Sequence, residues 1–522
     1  MPLIPQLTLW LARLARAAAW LALAVGLCIG LGWASLHLWI VPRIGDFRPA
    51  LERLATRAVG VPVQIGALQA ESTGWVPSFE LRQIQLLDGE GRPALSLPRV
   101  VVAISIRSVL NLGLDQLVLD RPELDIRHTA SGQWLVAGLA LGTGHSGDNA
   151  AADWLFSQRE VVVRGGTLRW TSERAHQSSG GQDPKDAPTL TLRDVDLVLR
   201  NPLHQHVLRL DATPPAEWGE RFVLMGRFQR GLLSTHAGNF QDWNGQAFAW
   251  FPQVDVSHLR QHVRLGADLQ SGQGRLRLWT DIAHGEWAGG TADLDLSQVR
   301  LRLAPELAPL GFVQISGRVS GQQSATGWSL ATRQLAFVSE QGLAWPGGNV
   351  SAQYRQAPGS QSAKGEVQGD QLDLQALRDV ALRLPLPERW HTLLASHAVA
   401  GQVRKLQLTW EGPPEDMRQY QGQIEVDALH LQSTPAAGAG TTDRVGIRAA
   451  QLNAQFTQQG GQVQIGMPEG GSLSWPGILE EDSLDLQQLQ ADLRWQLKDR
   501  NLSQLQWKAQ LANPDLQGQT QG

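Results

Sequence analysis

The sequence predicts a mainly β protein in which an N-terminal transmembrane helix precedes an elongated antiparallel sheet with few short helices. Three observations lead to this fold class. Residues 17–41 form an apolar run without a charged residue. From residue 61 onward, apolar and polar residues alternate with a period of two, which is typical of strands with one buried face. Gly, Pro, Asn and Asp separate these short segments, as they do in hairpin turns.

The apolar run has the length of a membrane-spanning helix. At about 1.5 Å per residue, a helix over Ala17–Val41 reaches roughly 37 Å, against about 30 Å for the hydrocarbon core of a bilayer. Gly32-Trp33-Ala34 also resembles the cleavage site of a signal peptide, but the apolar run continues past it. We therefore expect an uncleaved single-pass anchor, with residues 1–16 in the cytoplasm and the bulk of the chain on the other side.

Charge and cysteine content exclude two classes of protein. The first 42 residues contain two arginines and no acid, so the remainder carries 43 basic and 49 acidic residues. A nucleic-acid-binding protein would present a basic face, and this net negative charge argues against such a partner. The single cysteine, Cys28, lies in the apolar run, which excludes a disulfide framework.

A short helix is expected directly after the anchor. Within Phe47–Val59 the apolar residues have helical spacing, and Gly60 and Pro62 end the pattern. Two interpretations remain open. The helix lies on the membrane as an amphipathic segment, or it packs on the first sheet as an ordinary connector.

Alternation in the later strands defines a candidate apolar surface. Each of these strands has apolar residues on one face and Arg, Gln or Asp on the other. After Arg193-Asp194 the alternation changes register, which indicates a bulge, and bulges bend sheets. The candidate surface consists of Leu276, Leu278, Val299, Leu301, Leu303, Leu489, Leu493, Trp495 and Leu497.

An apolar face of this size has to be covered, either by a second sheet in a closed sandwich or by a ligand in a groove. The period of two in the sequence does not distinguish a closed sandwich from a ligand-filled groove. The pairs Trp345-Pro346 and Trp475-Pro476 suggest a repeated β unit of roughly 130 residues.

Several short motifs, in their order along the chain, resemble those of a known family. A strand ends in the turn Asp120-Arg121-Pro122, a second strand follows, and Gly132-Gln133-Trp134 comes next, as in AsmA-like proteins. Further motifs are similar to the YhdP branch of that family, the bacterial bridge-like lipid-transfer proteins. They are Asp153-Trp154-Leu155 with Gln158, Arg200-Asn201 with His206, Leu473–Pro476, Leu493–Trp495 and Asn513–Asp515, whereas Gly60–Gly66 fits the AsmA-like family as a whole.

This resemblance implies a fold and a function. The sheet would be long, curled and groove-like. The protein would be anchored in the inner membrane of a Gram-negative envelope, with its bulk in the periplasm. It would move phospholipids between the inner and outer membranes and so support the outer-membrane permeability barrier. Outer-membrane or periplasmic proteins are possible partners. Because family members are longer, we expect this sequence to represent their N-terminal portion.

The resemblance and the local patterns together predict six regions along the chain. They are a cytoplasmic N-terminus (1–16), the anchor (17–41), an AsmA-like β region with a short helix (42–145), a β-groove region (146–370), a helical interlude (371–400) and a groove continuation (401–522).

Motifs of catalysis and metal binding are weak. Gly142–Gly147 matches G-x-G-x-x-G but lacks a surrounding βαβ unit. The pairs His258/His262 and His204/His206 lack the further ligands of a metal centre. We therefore predict no enzyme, no cofactor and no metal. A non-enzymatic envelope scaffold or assembly factor that binds protein partners is the alternative to lipid transfer.

Overall fold

The structure, a computed structural model, describes most of the chain. The described residues are 4–35, 38, 41–59, 62–71, 78–87, 93–103, 114–131, 134–136, 139–141, 150–173, 187–231, 234, 236–261, 268–356, 363–384, 388–413, 417–433, 446–475, 483–498, 501–515 and 517–522.

Helices are few and mostly short, as predicted. The α-helices are α1 (Ile4–Ser35), α2 (Arg48–Val59), α3 (Ala150–Ser157), α4 (Leu374–Ala381) and α5 (Glu388–Ser396). Helix α2 confirms the helix predicted over 47–59. Short 3-10 helices occupy Val41–Phe47, Phe240–Asp242 and Val256–Gln261.

Strands make up most of the described chain, which confirms a mainly β protein. They are β1 (Val63–Glu71), β2 (Ser78–Leu87), β3 (Pro93–Ala103), β4 (Gln116–Asp120), β5 (Glu123–His128), β6 (Trp134–Val136), β7 (Leu139–Leu141), β8 (Glu160–Ser172), β9 (Thr189–Arg200), β10 (Gln205–Thr213), β11 (Phe222–Arg230), β12 (Trp243–Asp255), β13 (Asp268–Ala283), β14 (Glu286–Arg302), β15 (Leu310–Ser324), β16 (Gly327–Ser339), β17 (Ala344–Arg355), β18 (Lys364–Asp370), β19 (Leu372–Asp373), β20 (His397–Glu411), β21 (Gln419–Ser433), β22 (Gly446–Thr457), β23 (Gly460–Met467), β24 (Gly471–Ser474), β25 (Ser483–Leu486), β26 (Gln488–Lys498), β27 (Asn501–Ala512) and β28 (Gln517–Gln521).

The N-terminal helix differs from the prediction at both ends. Helix α1 begins at Ile4, because Leu, Ala and Arg before residue 17 are good helix formers, and it ends at Ser35. Residues 41–47 form a 3-10 helix around Pro42, which has no backbone N–H to continue an α-helix. Within the described residues, no helix combines the length and the apolar character needed to cross a membrane. The transmembrane helix predicted over 17–41 was therefore not found.

The chain divides into two compact units. Unit 1 comprises Met1–Pro214 and Met225–Asp242, and unit 2 comprises Pro215–Leu224 and Trp243–Gly522.

Unit 1 contains parallel as well as antiparallel pairs, which corrects the prediction of an antiparallel sheet. Strands β4 and β5 both run parallel to the single long strand β8. Between them, Arg121 has φ +50° and Pro122 follows, and the chain continues in the same direction along β8 with the same register. The chain needs the long connection through β6, β7 and α3 before β8 pairs with them, and a parallel pair always requires such a crossover.

Helices α2 and α3 pack on the apolar side of the unit 1 sheet. The buried core includes Ile65, Val100 and Leu117, and Leu51 of α2 and Phe156 of α3 pack against it. The predicted register change is confirmed at Asp194, which has φ +47°, where the pairing of β8 with β9 shifts.

Unit 2 is built from antiparallel neighbours, with the pairing order following the chain except around β22–β26. Its buried core includes Leu372, Val403, Val426 and Met467, and α4 packs on this core. Trp345 is buried in the core, whereas Trp475 is 47% exposed. The two tryptophans thus occupy different environments.

Candidate functional site

Pairing aligns uncharged, mostly apolar residues from thirteen strands of unit 2 into a continuous row. Successive residues are direct cross-strand partners, which places their side chains on one face of the sheet. The first apolar row consists of Ala249, Leu278, Ala292, Val319, Thr332, Val350, Gly369, Leu406, Ile424, Ala454, Val463, Leu493 and Trp507.

A second apolar row crosses the same strands two residues further along. The second apolar row consists of Ala247, Thr280, Gly290, Gly321, Leu330, Ala352, Val367, Leu408, Gly422, Phe456, Gly461, Trp495 and Leu505. Its glycines leave room for large rings. A Cβ on Gly422 would lie 2.3 Å from the ring of Phe456, and one on Gly461 would lie 2.5 Å from Trp495. We call the two rows together the apolar face.

Most side chains of the apolar face are only partly buried. In β20, for example, Leu406 and Leu408 are both partly buried. At the last strands the face becomes more open, since Leu505 and Trp507 are each 42% exposed. Neither row contains a charged residue. The apolar face therefore offers a continuous uncharged surface that the rest of unit 2 covers incompletely.

The buried core borders the first apolar row. Along β20 the chain passes from Val403, which is 1% exposed, to the partly buried Leu406. Leu372 pairs with Val403 and is also 1% exposed. Helix α4 starts with Asp373 as its N-cap, whose carboxylate accepts from Ala376 N at 2.8 Å. This cap fixes the start of α4, which lies over the core. The open part of the apolar face ends on the side where α4 covers this core.

Aromatic residues border the second apolar row on its other side. Trp328 pairs with Tyr354, and Trp410 pairs with Tyr420. Gly365 lies between these two pairs in the same cross-strand row, and the indole of Trp410 lies over it, 2.0 Å from where a Cβ would be. We call Trp328, Tyr354, Trp410 and Tyr420 the aromatic border. The chain contains two tyrosines, and both are here.

The opposite face of the same strands is mostly polar, except for Phe248, Trp250 and Trp279 in β12 and β13. In β14 and β15, Arg318 Nε donates to Asp293 Oδ1 at 2.5 Å, and this guanidinium holds the pKa of the Asp293 carboxyl below its usual range. A depression of about 1280 Å³ is lined largely by glutamines of this face, including Gln407, Gln423 and Gln462. By strand alternation, the side chains of these three glutamines point away from the apolar face, while Gly422, Phe456, Gly461 and Trp495 of the second apolar row also contribute to the lining of the depression.

The nine residues predicted as a candidate surface fall into two groups. Leu278, Leu493 and Trp495 belong to the apolar face, Leu276 lies two residues before Leu278 in β13, and Leu497 two residues after Trp495 in β26. Val299 and Leu489 are buried in the core, and Leu301 and Leu303 pack against it. Contact of these residues with lipid stays a prediction.

A second cluster joins motif residues that lie far apart in the sequence. In unit 1, Asn201 Nδ2 donates to the backbone oxygen of Gln158 at 2.7 Å, and His206 Nδ1 lies 2.7 Å from Asn201 Oδ1. Gln158 Oε1 in turn accepts from Leu114 N at 2.7 Å. Burial, followed by the charge of Arg230, lowers the pKa of His206 to about 4. A buried neutral network of this kind positions α3, β9 and β10.

The other histidine and glycine motifs form no site among the described residues. In that part of the chain, no three potential metal ligands come together. His258 stacks on Trp218 with ring centroids 5.2 Å apart. His262 and Gly142–Gly147 lie outside the described residues.

Sequence reasoning missed most of the apolar face and the whole aromatic border. Val350, Val367 and Leu408 belong to alternating segments, so a count of alternation in every strand would have found them. Their alignment depends on cross-strand register, for which one sequence carries little signal.

Comparison with known proteins identifies one family. A family model described as "YhdP protein" matches residues 1–522, the whole chain. A search of curated proteins and a search of solved structures gave no match.

Proposed function

The chain belongs to the YhdP family, and from this premise we propose that it conducts phospholipids between the inner and outer membranes of a bacterial envelope along the apolar face of unit 2. The family assignment supports a role in envelope lipid transport. In this proposal acyl chains contact the apolar face and headgroups stay in water. The chain forms and breaks no bond, so no catalytic group or cofactor is required.

The continuity of the two apolar rows carries the proposal. Thirteen strands at about 4.8 Å spacing give a path on the order of 58 Å, against roughly 15 Å for the acyl depth of one leaflet. A continuous path matters because each CH₂ exposed to water costs about 0.8 kcal/mol, or over roughly 10 kcal/mol for a 16-carbon chain. A surface of this length holds several lipids in succession.

We propose a location at the inner membrane with the bulk of the chain in the periplasm, and the exposed apolar residues of α1 support contact with a membrane surface. Trp20 is 71% exposed and Leu21 67%, and Leu23, Leu27 and Leu31 are each more than 60% exposed. A surface this apolar is unfavourable in water and favourable against lipid.

The experiment is a photo-crosslinking scan in cells along β26 of the full chain, one residue at a time. We expect phospholipid adducts at Leu493, Trp495 and Leu497. Gln490 and Arg494, on the opposite face of the same strand, are the matched controls and should form none. Lipid adducts without this period of two, or no lipid adducts in β26, would contradict conduction along this face.

One observation favours a second function, that of an envelope scaffold. The depression lined by Gln407, Gln423 and Gln462 provides amide donors and acceptors for a protein partner. The same scan separates the two functions, because a scaffold predicts protein adducts at Gln490 and Arg494 and no lipid adducts at Leu493.

A further inference from the structure

We infer that the aromatic border marks the level at which lipid headgroups sit, so that each acyl chain runs parallel to the strands from the border toward the buried core. This inference rests on the proposed lipid function and adds the orientation of the lipid on the apolar face.

The chemistry of the border residues is the first argument. Tryptophan and tyrosine combine an apolar ring with a hydrogen-bonding group, and they concentrate where hydrocarbon meets water. In unit 2 they replace the aliphatic and small residues that form the neighbouring second apolar row at Leu330, Ala352, Val367 and Leu408. A border of this composition is expected at the end of the hydrocarbon zone rather than in its middle.

The width of the apolar face is the second argument. From Leu406 to Trp410, and equally from Ile424 to Tyr420, four residues of extended chain cover about 13 Å. One leaflet contributes roughly 15 Å of hydrocarbon depth, half of a bilayer core of about 30 Å. An acyl chain whose glycerol end lies at the border therefore ends near the first apolar row, where the core at Val403 begins.

Two photoactivatable phosphatidylethanolamines test the orientation. One carries a diazirine on its headgroup and the other carries it at the methyl end of one acyl chain. Each is mixed into phosphatidylethanolamine vesicles with the full chain, irradiated, and its adducts located by peptide mass spectrometry. We expect the headgroup probe to favour Tyr354 and Tyr420 several-fold over Val350 and Ile424, and the acyl probe to show the reverse preference. Gln423, on the polar face, is the control for labelling from bulk solution.

The possible results separate this inference from the proposed function. The proposed orientation would be wrong if both probes labelled the tyrosines (Tyr354, Tyr420) and the aliphatic residues (Val350, Ile424) equally, or with the reversed preference. Lipid contact with the apolar face would still hold in that case. Absence of adducts from either probe on the apolar face would overturn both. In a variant that carries Tyr354→Leu and Tyr420→Leu, the headgroup probe should lose its several-fold preference for these two positions. The acyl-probe adducts at Ile424 should remain. The matched control carries Tyr354→Phe and Tyr420→Phe.

Discussion

The two units cover the apolar side of their strands in different ways. In unit 1, helices α2 and α3 pack on the core around Ile65 and Leu117, and the buried hydrogen bonds of Gln158, Asn201 and His206 hold α3 in place. In unit 2, α4 packs on the core near Leu372 and leaves the two apolar rows partly open.

This difference shows how one pattern of alternation serves two purposes. Alternating strands produce an apolar side in both units, and the helices decide how much of it becomes core. Where a helix packs, side chains fall to a few per cent exposure, as at Leu372 and Val403. Further along β20, Leu406 still packs against this core, and Leu406 and Leu408 are only partly buried. Four predictions test this distinction, in order of expected effect.

A charge in the open rows should have the largest effect on lipid transfer. Ile424→Asp places a carboxylate in the first apolar row, at about 2.5–3.5 kcal/mol in hydrocarbon, which corresponds to a transfer rate lower by on the order of 100-fold. The measurement is phospholipid transfer between donor and acceptor vesicles. Gln423→Asp, the next residue on the opposite face, is the matched control. Equal losses in the two variants would mean that the apolar face has no special role.

Truncation of the covered core should have the largest effect on stability. Leu372→Ala should lower the free energy of unfolding by about 2–5 kcal/mol, because it leaves a cavity under α4. Leu408→Ala, in the open second row, should lower it by about 1 kcal/mol, because a partly exposed side chain has less packing to lose. Urea denaturation of both variants measures the difference. If Leu408→Ala were as destabilising as Leu372→Ala, the rows would be ordinary core.

Acid should destabilise unit 1 through His206. Its pKa is about 4 in the folded chain, against 6.5 for an exposed histidine, so between these values only the unfolded chain binds the proton. Stability is therefore complete above about pH 6.5 and falls as the pH drops toward 4, by on the order of 3 kcal/mol.

Protection factors of the β10 amides, which are the exchange rates corrected for the intrinsic pH dependence of amide exchange, measure this loss at pH 7 and pH 5. His206→Gln, which keeps a side-chain donor near Asn201, should make these protection factors nearly independent of pH over this range. Equal protection factors at the two pH values in the wild-type chain would contradict the prediction.

Loss of an ion pair on the polar face should have the smallest effect. Arg318 and Asp293 are 46% and 29% exposed at their side chains. Solvent screens pairs of this kind, so Arg318→Ala should change the free energy of unfolding by less than about 1 kcal/mol. Lipid transfer should equal that of the wild type. A large loss of transfer in this variant would assign lipid contact to the polar face instead.

Local patterns were sufficient for the elements and for the face to which each side chain belongs. Alternation in Arg275–Leu278 and in Leu489–Leu497 predicted strands β13 and β26, and the interrupted alternation at Asp194 predicted a real register shift. The motif order predicted the YhdP family, which the family model confirms. These features depend on neighbours close along the chain, so one sequence contains them.

Other features depend on partners distant in the sequence. The parallel pairing of β4 and β5 with β8 requires a crossover whose end point no local pattern specifies. Likewise Val299 and Leu489 alternate in the same way as Leu278 and Leu493, yet the former are core and the latter lie on the open face.

The sequence by itself therefore determined a β-rich chain with one apolar and one polar side to its strands. Only the tertiary structure decided that thirteen uncharged, mostly apolar positions align into each continuous row, and that α4 closes one part of that side and leaves the other open. The physical reason is that alternation sets which way a side chain points, whereas burial depends on which strand pairs beside it and which helix packs above it.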